Sequence, residues 1–234
     1  MGNNPWRELY AEHTDRYERM IQAEDYQGQL LAAVRQLRPL ADQAVVEFGA
    51  GTGRITAQLA PHVGQIQAFD LTPAMIQVAQ RKLLQSDGRN WLVGVADSRA
   101  VPVPTASADI AIEGWSFVQI MSWQIETWQQ EVGRAIKEML RVLRPGGLAI
   151  LIETLGTGLA TPHAPERFRP VYEFFEREWH FASTWIRTDF HFPTLAAAHA
   201  TLDPVFGEAT LEGAVVSDDG VSLPECTGIW WRTV

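Results

Sequence analysis

The sequence predicts an α/β fold: a doubly wound, mostly parallel seven-stranded sheet with an antiparallel last strand and a segment inserted ahead of the final strand pair. Three observations carry that expectation. Compact apolar runs alternate with helical periodicities from residue 44 to 153, the pattern of parallel strands joined by right-handed helical crossovers. The first apolar run leads at once into a glycine loop and then a helix. Near the C-terminus two strand-like runs are joined by a tight turn, which sets them antiparallel.

Taken in order, Trp6, Leu9, Tyr10, Tyr17, Met20 and Ile21, then Leu30, Leu31, Val34 and Leu37, recur at helical intervals. They predict two helices between Pro5 and Leu37, broken near Gly28. Ala44 to Phe48 is the first strand, Gly49-Ala50-Gly51-Thr52-Gly53 the loop, and Ile55, Leu59 and Ala60 mark the next helix. Strand Gln65 to Asp70, helix Pro73 to Leu84, strands Trp91 to Val95 and Ala108 to Glu113, helix Trp123 to Leu143 and strand Leu148 to Glu153 follow. Gly156 to Arg187 is rich in Pro, His and aromatics and shows no clear strand. After His191-Phe192-Pro193-Thr194 come a short helix and strands Glu208 to Val216 and Glu225 to Arg232, joined by Ser217-Asp218-Asp219-Gly220.

With 234 residues, 46% hydrophobic and 20% charged, the chain has the composition of one ordinary globular domain. Its net charge of -9 disfavours a polyanionic partner, so no nucleic-acid partner is expected. Arg134, Lys137, Arg141 and Arg144 alternate with Glu131 and Glu138 and read as a solvated helix face. The single cysteine, Cys226, has no partner for a disulfide or a zinc site, so no metal is expected and a reducing, cytoplasmic setting fits. Leu148 to Ile152 is too short to cross a bilayer, and MGNNPWRELY has neither a secretory pattern nor, with Trp6 where a hydroxyl residue belongs, a myristoylation motif. No membrane association is expected.

Glycine lets the backbone turn sharply after a strand and lets a ligand approach closely, although a ligand-free turn uses the same residues. Acids at three successive strand ends narrow the choice. Asp70 ends the second strand about 20 residues after the loop, where a carboxylate reaches a ribose diol in doubly wound folds. Asp97, with Ser98, follows the third strand, and Glu47 stands in the loop itself. A phosphate-cradling loop would need Lys and Ser or Thr, and a dinucleotide turn would need G-x-G-x-x-G; this chain has G-x-G-x-G preceded by an acid. A carboxylate there repels pyrophosphate and suits a cationic, phosphate-free ligand such as S-adenosylmethionine.

These residues carry a resemblance. Val45-Val46-Glu47-Phe48-Gly49-Ala50-Gly51-Thr52-Gly53, Asp70-Leu71-Thr72-Pro73-Ala74-Met75 and Arg141-Val142-Leu143-Arg144-Pro145-Gly146-Gly147 resemble, in order and spacing, the motifs of class I S-adenosylmethionine-dependent methyltransferases. The resemblance implies a Rossmann-like sheet with S-adenosyl-L-methionine as cofactor. It implies that Glu47, Gly49, Ala50, Gly51 and Gly53 pass the methionine moiety and that Asp70 binds the ribose. Leu71 and Met75 would flank the adenine, Asp97 and Ser98 hold its edge, and Glu113 and Trp115 face the methyl donor. One domain over residues 1–234 is expected, with a helical lid at 1–38, a cofactor core at 41–153, an acceptor-side insertion at 154–192 and a closing helix and strand pair at 193–234.

Methyl transfer is an in-line displacement, so the protein chiefly aligns reactants and excludes water. Where a base is needed, His13, His163 and Tyr17 are candidates, with His180 and His191, and none is singled out. Phe168, Tyr172, Phe174, Phe175, Trp179, Phe181, Trp185, Phe190 and Phe192 either line an acceptor pocket or form the insertion's own core. Glu113-Gly114-Trp115-Ser116-Phe117 lacks the Asn or Asp, two prolines and aromatic that the family's nucleic-acid and protein amide enzymes often carry after the fourth strand. A small-molecule acceptor is therefore expected. A catalytically silent S-adenosylmethionine-binding partner protein and a nicotinamide-dependent oxidoreductase are the alternatives.

Overall fold

The computed structural model describes residues 9–10 and 12–234; the beginning of the expected first helix, with Trp6, lies outside them. Helix α1 (Thr14–Ala23) and α2 (Gln29–Leu37) are separated at Gly28, as the sequence predicts, and the Asp25 carboxylate accepts from Gln29 N and Leu30 N to cap α2. The chain then alternates: β1 (Ala44–Phe48), α3 (Arg54–Leu59), β2 (Gln65–Asp70), α4 (Pro73–Leu83), β3 (Trp91–Val95), β4 (Ala108–Gly114). Two helices follow, α5 (Phe117–Trp123) and α6 (Trp128–Val142), before β5 (Leu143–Thr157). Helix α7 (Arg169–Arg177), β6 (Ala182–Arg187), β7 (Phe190–Phe192), α8 (Leu195–Phe206), β8 (Val215–Ser217), β9 (Gly220–Leu223) and β10 (Glu225–Thr233) complete it.

The main sheet has seven strands in the order β3-β2-β1-β4-β5-β10-β6. Strands β1 to β5 are parallel, and β10 runs antiparallel to both β5 and β6. The chain reverses direction across the sheet at β1 and β4, so the loops after those strands open a crevice between them, the usual ligand position in such sheets.

Helices cover both faces, which is why the central strands are apolar on both sides. Val46, Phe48 and Ala111 face α6 and α7 in one core, with Phe175 and Trp230. Val45, Ile110, Ile112 and Ile150 face α2 and α3 in the other. In α6 the residues Val132, Ala135, Ile136, Met139 and Val142 are buried at helical spacing, each large one contributing about 1.5 to 3 kcal/mol. On the opposite face Arg134 and Lys137 are exposed, but Glu131, Glu138 and Arg141, expected to be solvated, are half-buried against residues 99–105, where Arg99 bonds Glu131, Val101 N donates to Glu138 and Arg141 donates to Val103 O.

Three elements differ from expectation. The sixth strand of the main sheet is β6, inside the stretch read as strandless, and not Glu208 to Val216. As an edge strand paired only with β10, Ala-Ser-Thr-Trp-Ile-Arg is exposed along most of its length and shows no apolar alternation. Glu208 to Val216 instead becomes a 3-10 turn (Glu208–Gly213) and the short strand β8, which joins β7 and β9 in a separate three-stranded sheet. That sheet packs with α1 and α8 around Met20, Ile21, Phe190, Phe192, Leu202 and Leu223. The helix expected from Trp123 to Leu143 begins only at Trp128, and an additional helix, α5, starts directly after Ser116 and ends at Trp123. Among the described residues no helix is long and apolar enough to cross a membrane.

Candidate functional site

The loop after β1 is held by its backbone. Ala50 N donates to Phe69 O at 2.9 Å, Gly53 N donates to Ala50 O at 2.8 Å, and Gly51 N donates to the Asp70 carboxylate at 2.9 Å. Glycine is required at Gly49, where φ is +72° and an added Cβ would lie 2.3 Å from Ser116 Cβ. The loop after β4 is thereby pressed against the loop after β1, and Ser116 Oγ spans them by reaching Phe48 O at 3.3 Å and Glu113 at 2.9 Å.

A cleft of about 900 Å³, counted out to its open mouth, lies over these loops. Of the expected cofactor residues, Gly49, Gly51, Asp70, Leu71, Met75, Asp97, Ser98 and Trp115 line it. Asp70 uses each oxygen once, Oδ2 for Gly51 N and Oδ1 for Thr72 N at 2.7 Å, so each keeps a lone pair for a ligand hydroxyl. Burial pushes its carboxyl up, against these two bonds. Asp97 is gripped by Arg99, whose Nε and Nη2 meet Oδ1 and Oδ2 at 2.8 and 2.5 Å and hold the Asp97 carboxyl below its usual value. Arg99 also lines the cleft and bonds Glu131.

Glu47, Ala50, Gly53 and Glu113 are brought to the same loops but stand behind the wall of the cleft. The strand register turns Glu47 into the core, where it is 1% exposed and accepts from Thr56 Oγ1 at 2.5 Å. Burial pushes its carboxyl up to about 8, so it is largely neutral at pH 7. Glu113 accepts from Ser116 N, Ser116 Oγ, Phe117 N and Ile152 N. It therefore shapes the turn that carries Trp115 and does not face the cleft; burial pushes it up to about 7. Trp115 itself sits at φ +53°, its N donating to Ile152 O at 2.7 Å.

A second cavity, about 960 Å³ counted the same way, adjoins the first. The two share Tyr10, Tyr17, Trp115 and Gln119 in their walls. Of the catalytic candidates Tyr17 is there, 5.3 Å from Tyr10 ring to ring, and burial raises both phenols so that they stay protonated. His13, His163, His180 and His191 line neither cavity; His191 instead meets Ser222 Oγ at 3.2 Å and the ring of Tyr26. From the aromatic-rich stretch only Phe168 and Phe190 reach the second cavity, while Tyr172, Phe175 and Phe181 pack with Trp230 or its neighbours.

The sequence reading missed Arg54, Glu24 and Glu225 in the second cavity and Gln119, Ile120 and Trp123 of α5 in the first. Arg54 follows the glycine loop by one residue and was legible as a cation at the loop's edge; Glu24 and Glu225, 201 positions apart, carried no local signal. Arg54 Nη1 bonds Glu24 at 2.8 Å, and its guanidinium lies 4.2 Å from the Trp115 ring centroid.

Residues 45–147 match a family model described as a methyltransferase domain. The chain is 27% identical over 157 residues to a malonyl-[acyl-carrier protein] O-methyltransferase of Legionella pneumophila, covering 66% of this chain and 51% of that one. It is 26% identical over 151 residues to a demethylmenaquinone methyltransferase of Clavibacter sepedonicus, covering 64% and 55%. It thus spans about half the length of these curated relatives. A solved S-adenosylmethionine-dependent methyltransferase from Aquifex aeolicus shares the fold over the whole of both chains at a TM-score of 0.58 and 13% identity. Over residues 45–147, with the strand order and the loop geometry around Gly49 and Asp70, this chain is similar to the class I S-adenosylmethionine-dependent methyltransferases.

Proposed function

We propose that the protein transfers a methyl group to an N, O or C atom of a small-molecule acceptor bound in the second cavity. One observation carries this reading: the cleft over the glycine loop shares Tyr10, Tyr17, Trp115 and Gln119 with a separate, mostly apolar cavity. The cleft suits its cofactor chemically. It offers a carboxylate with free lone pairs at Asp70, an adenine-sized apolar edge at Leu71 and Met75, and loop backbone free of side chains at Gly49 and Gly51. S-adenosylmethionine, when bound, supplies the methyl group as an electrophile on a sulfonium. Asp70 holds the ribose diol, and Asp97, fixed by Arg99, takes the adenine edge with Ser98. Trp115 and the two tyrosines form the passage between donor and acceptor and keep water out of it. The phenols serve as hydrogen-bond donors there, since burial keeps them protonated. Helix α1 forms one wall of that passage and acts as the lid.

Calorimetric titration of the purified protein with S-adenosylmethionine, S-adenosylhomocysteine and NADH tests the reading. Micromolar binding of the first two and none of NADH is the expected result. Binding of NADH alone, or of none of the three, overturns it. Binding of the cofactor with no turnover across a broad acceptor panel would instead favour a silent partner protein.

A further inference from the structure

Three arginines of this chain meet a carboxylate edge-on. Arg99 on Asp97, Arg141 on Glu138 and Arg187 on Asp189 each use the side edge of the guanidinium, Nε together with Nη2, at 2.5 to 2.8 Å. This planar fork matches the two oxygens of a carboxylate. Arg54 does not use that edge. Its Nη1 is taken by Glu24, and Nε and Nη2 are buried with no hydrogen-bond partner among the described residues. Trp115 covers one face of the guanidinium, which fixes the plane of the fork. Leaving two charged donors of this kind unmatched inside a fold is costly unless something arrives to take them.

Resting on the methyl-transfer reading above, we propose that the acceptor is a carboxylic acid whose carboxylate docks on the Nε–Nη2 edge of Arg54, with its apolar body among Met20, Ile21, Phe168 and Phe190. The surroundings fit an anion. Glu225, 2% exposed, lines the same cavity; Thr154 Oγ1 donates to its Oε1 at 2.7 Å, and its Oε2 has no partner among the described residues. Burial pushes Glu225 up to about 8, so at neutral pH this carboxyl is largely protonated and has a proton to donate to an oxyanion. Arg167 lies at the cavity wall, exposed, over the ring of Phe168 at 4.5 Å. With Glu24 matched by Arg54 and Glu225 protonated, the cavity carries a positive balance inside a chain whose net charge is -9. Arg54 lines this cavity and not the cleft over the glycine loop, which separates its free edge from the expected place of the cofactor.

The test uses the whole protein saturated with S-adenosylhomocysteine and titrated with hexanoate, octanoate and 3-phenylpropionate, each against its own primary amide. An acid-over-amide preference of about tenfold or more for at least one pair is expected, because a fork to a carboxylate is made of charge-assisted bonds that the neutral amide cannot replace. In R54Q that preference falls towards one, and in R54K, which keeps the charge and loses the fork, it falls part of the way. If no acid outbinds its amide in the wild-type protein, the proposal is overturned without recourse to any variant, whether or not R54Q folds. If R54Q weakens S-adenosylhomocysteine while acids and amides bind alike, the edge belongs to the cofactor's own carboxylate, and the proposal is equally overturned. Failure of S-adenosylhomocysteine to bind the wild-type protein is a different result, since it removes the methyl-transfer reading itself.

Discussion

Replacing Glu47 by Gln is expected to flatten the pH dependence of folding. In the folded chain burial holds this carboxyl at about 8, with Thr56 donating to it, Asp70 at the end of β2 raising it and Lys82 in α4 lowering it. In the unfolded chain it ionises near 4.3. A raised carboxyl contributes stability that is fully present below about pH 4.3 and is lost as pH rises towards 8, because the folded state binds the extra proton across that window. Between pH 5.5 and 7.5 the loss through this one site is about 2.5 kcal/mol. Gln keeps an oxygen for Thr56 and carries no titratable proton. Urea unfolding of the ligand-free wild-type and E47Q proteins at both pH values, extrapolated to water, measures the difference. The raised Glu113 and Glu225 contribute to both proteins and cancel. The wild type should lose about 2.5 kcal/mol more than the variant; parallel losses would mean that Glu47 is ionised in the fold and that the argument from its burial is wrong.

Asp70→Ala should weaken S-adenosylhomocysteine binding by about 1.5 to 3 kcal/mol in calorimetry, the range for hydrogen bonds to a charged group, and an unchanged affinity would displace the ribose from this site. Gly49→Ala should cost about 2 to 4 kcal/mol in urea unfolding through the positive φ and the clash with Ser116; a loss below about 1 kcal/mol would show that the two loops separate at little cost. Glu113→Ala removes the acceptor of four hydrogen bonds and should cost about 3 kcal/mol or more while lowering cofactor affinity through Trp115. Affinity unchanged in a folded E113A protein would mean that the turn holds its shape without the carboxylate.

The fold was legible wherever a strand was buried on both faces. Val45-Val46 and Ile110-Ala111-Ile112 read as strands because both of their faces are covered by helices, and their order with the intervening helices fixes a parallel sheet. The edge was not legible. Strand β6 is made by its ladder to β10 and buries little, so its sequence carries the polarity of a loop. The apolar residues after Phe206 show the reverse effect: Leu211 packs against α1 and α8 from a 3-10 turn, and burial there comes from tertiary contact without strand periodicity. Helix α5 was missed for a related reason. Its start is set by two buried acids from strand ends, with Glu113 accepting from Ser116 N and Phe117 N and Glu153 from Val118 N, rather than by a local capping residue.

The same distinction runs through the site. Positions presented at strand ends, Asp70 and Asp97, could be placed on the crevice from sequence spacing alone, because a parallel sheet delivers every strand end to one side. What spacing does not give is the direction of each side chain. Glu47 and Glu113 precede the loops by one or two residues, yet both carboxylates turn inward and serve the loops from beneath, as a neutral acceptor for Thr56 and as a staple for the Trp115 turn. The acids in front of the wall and those behind it differ in what surrounds them. Asp97 meets Arg99 and is stabilised as an anion; Glu47 meets only a hydroxyl and is stabilised as an acid. A motif that reads as a row of negative charges therefore folds into charge at the surface of the cleft and protonated carboxyls in the support, which lets the loop stay rigid without repelling the Asp70 carboxylate beside it.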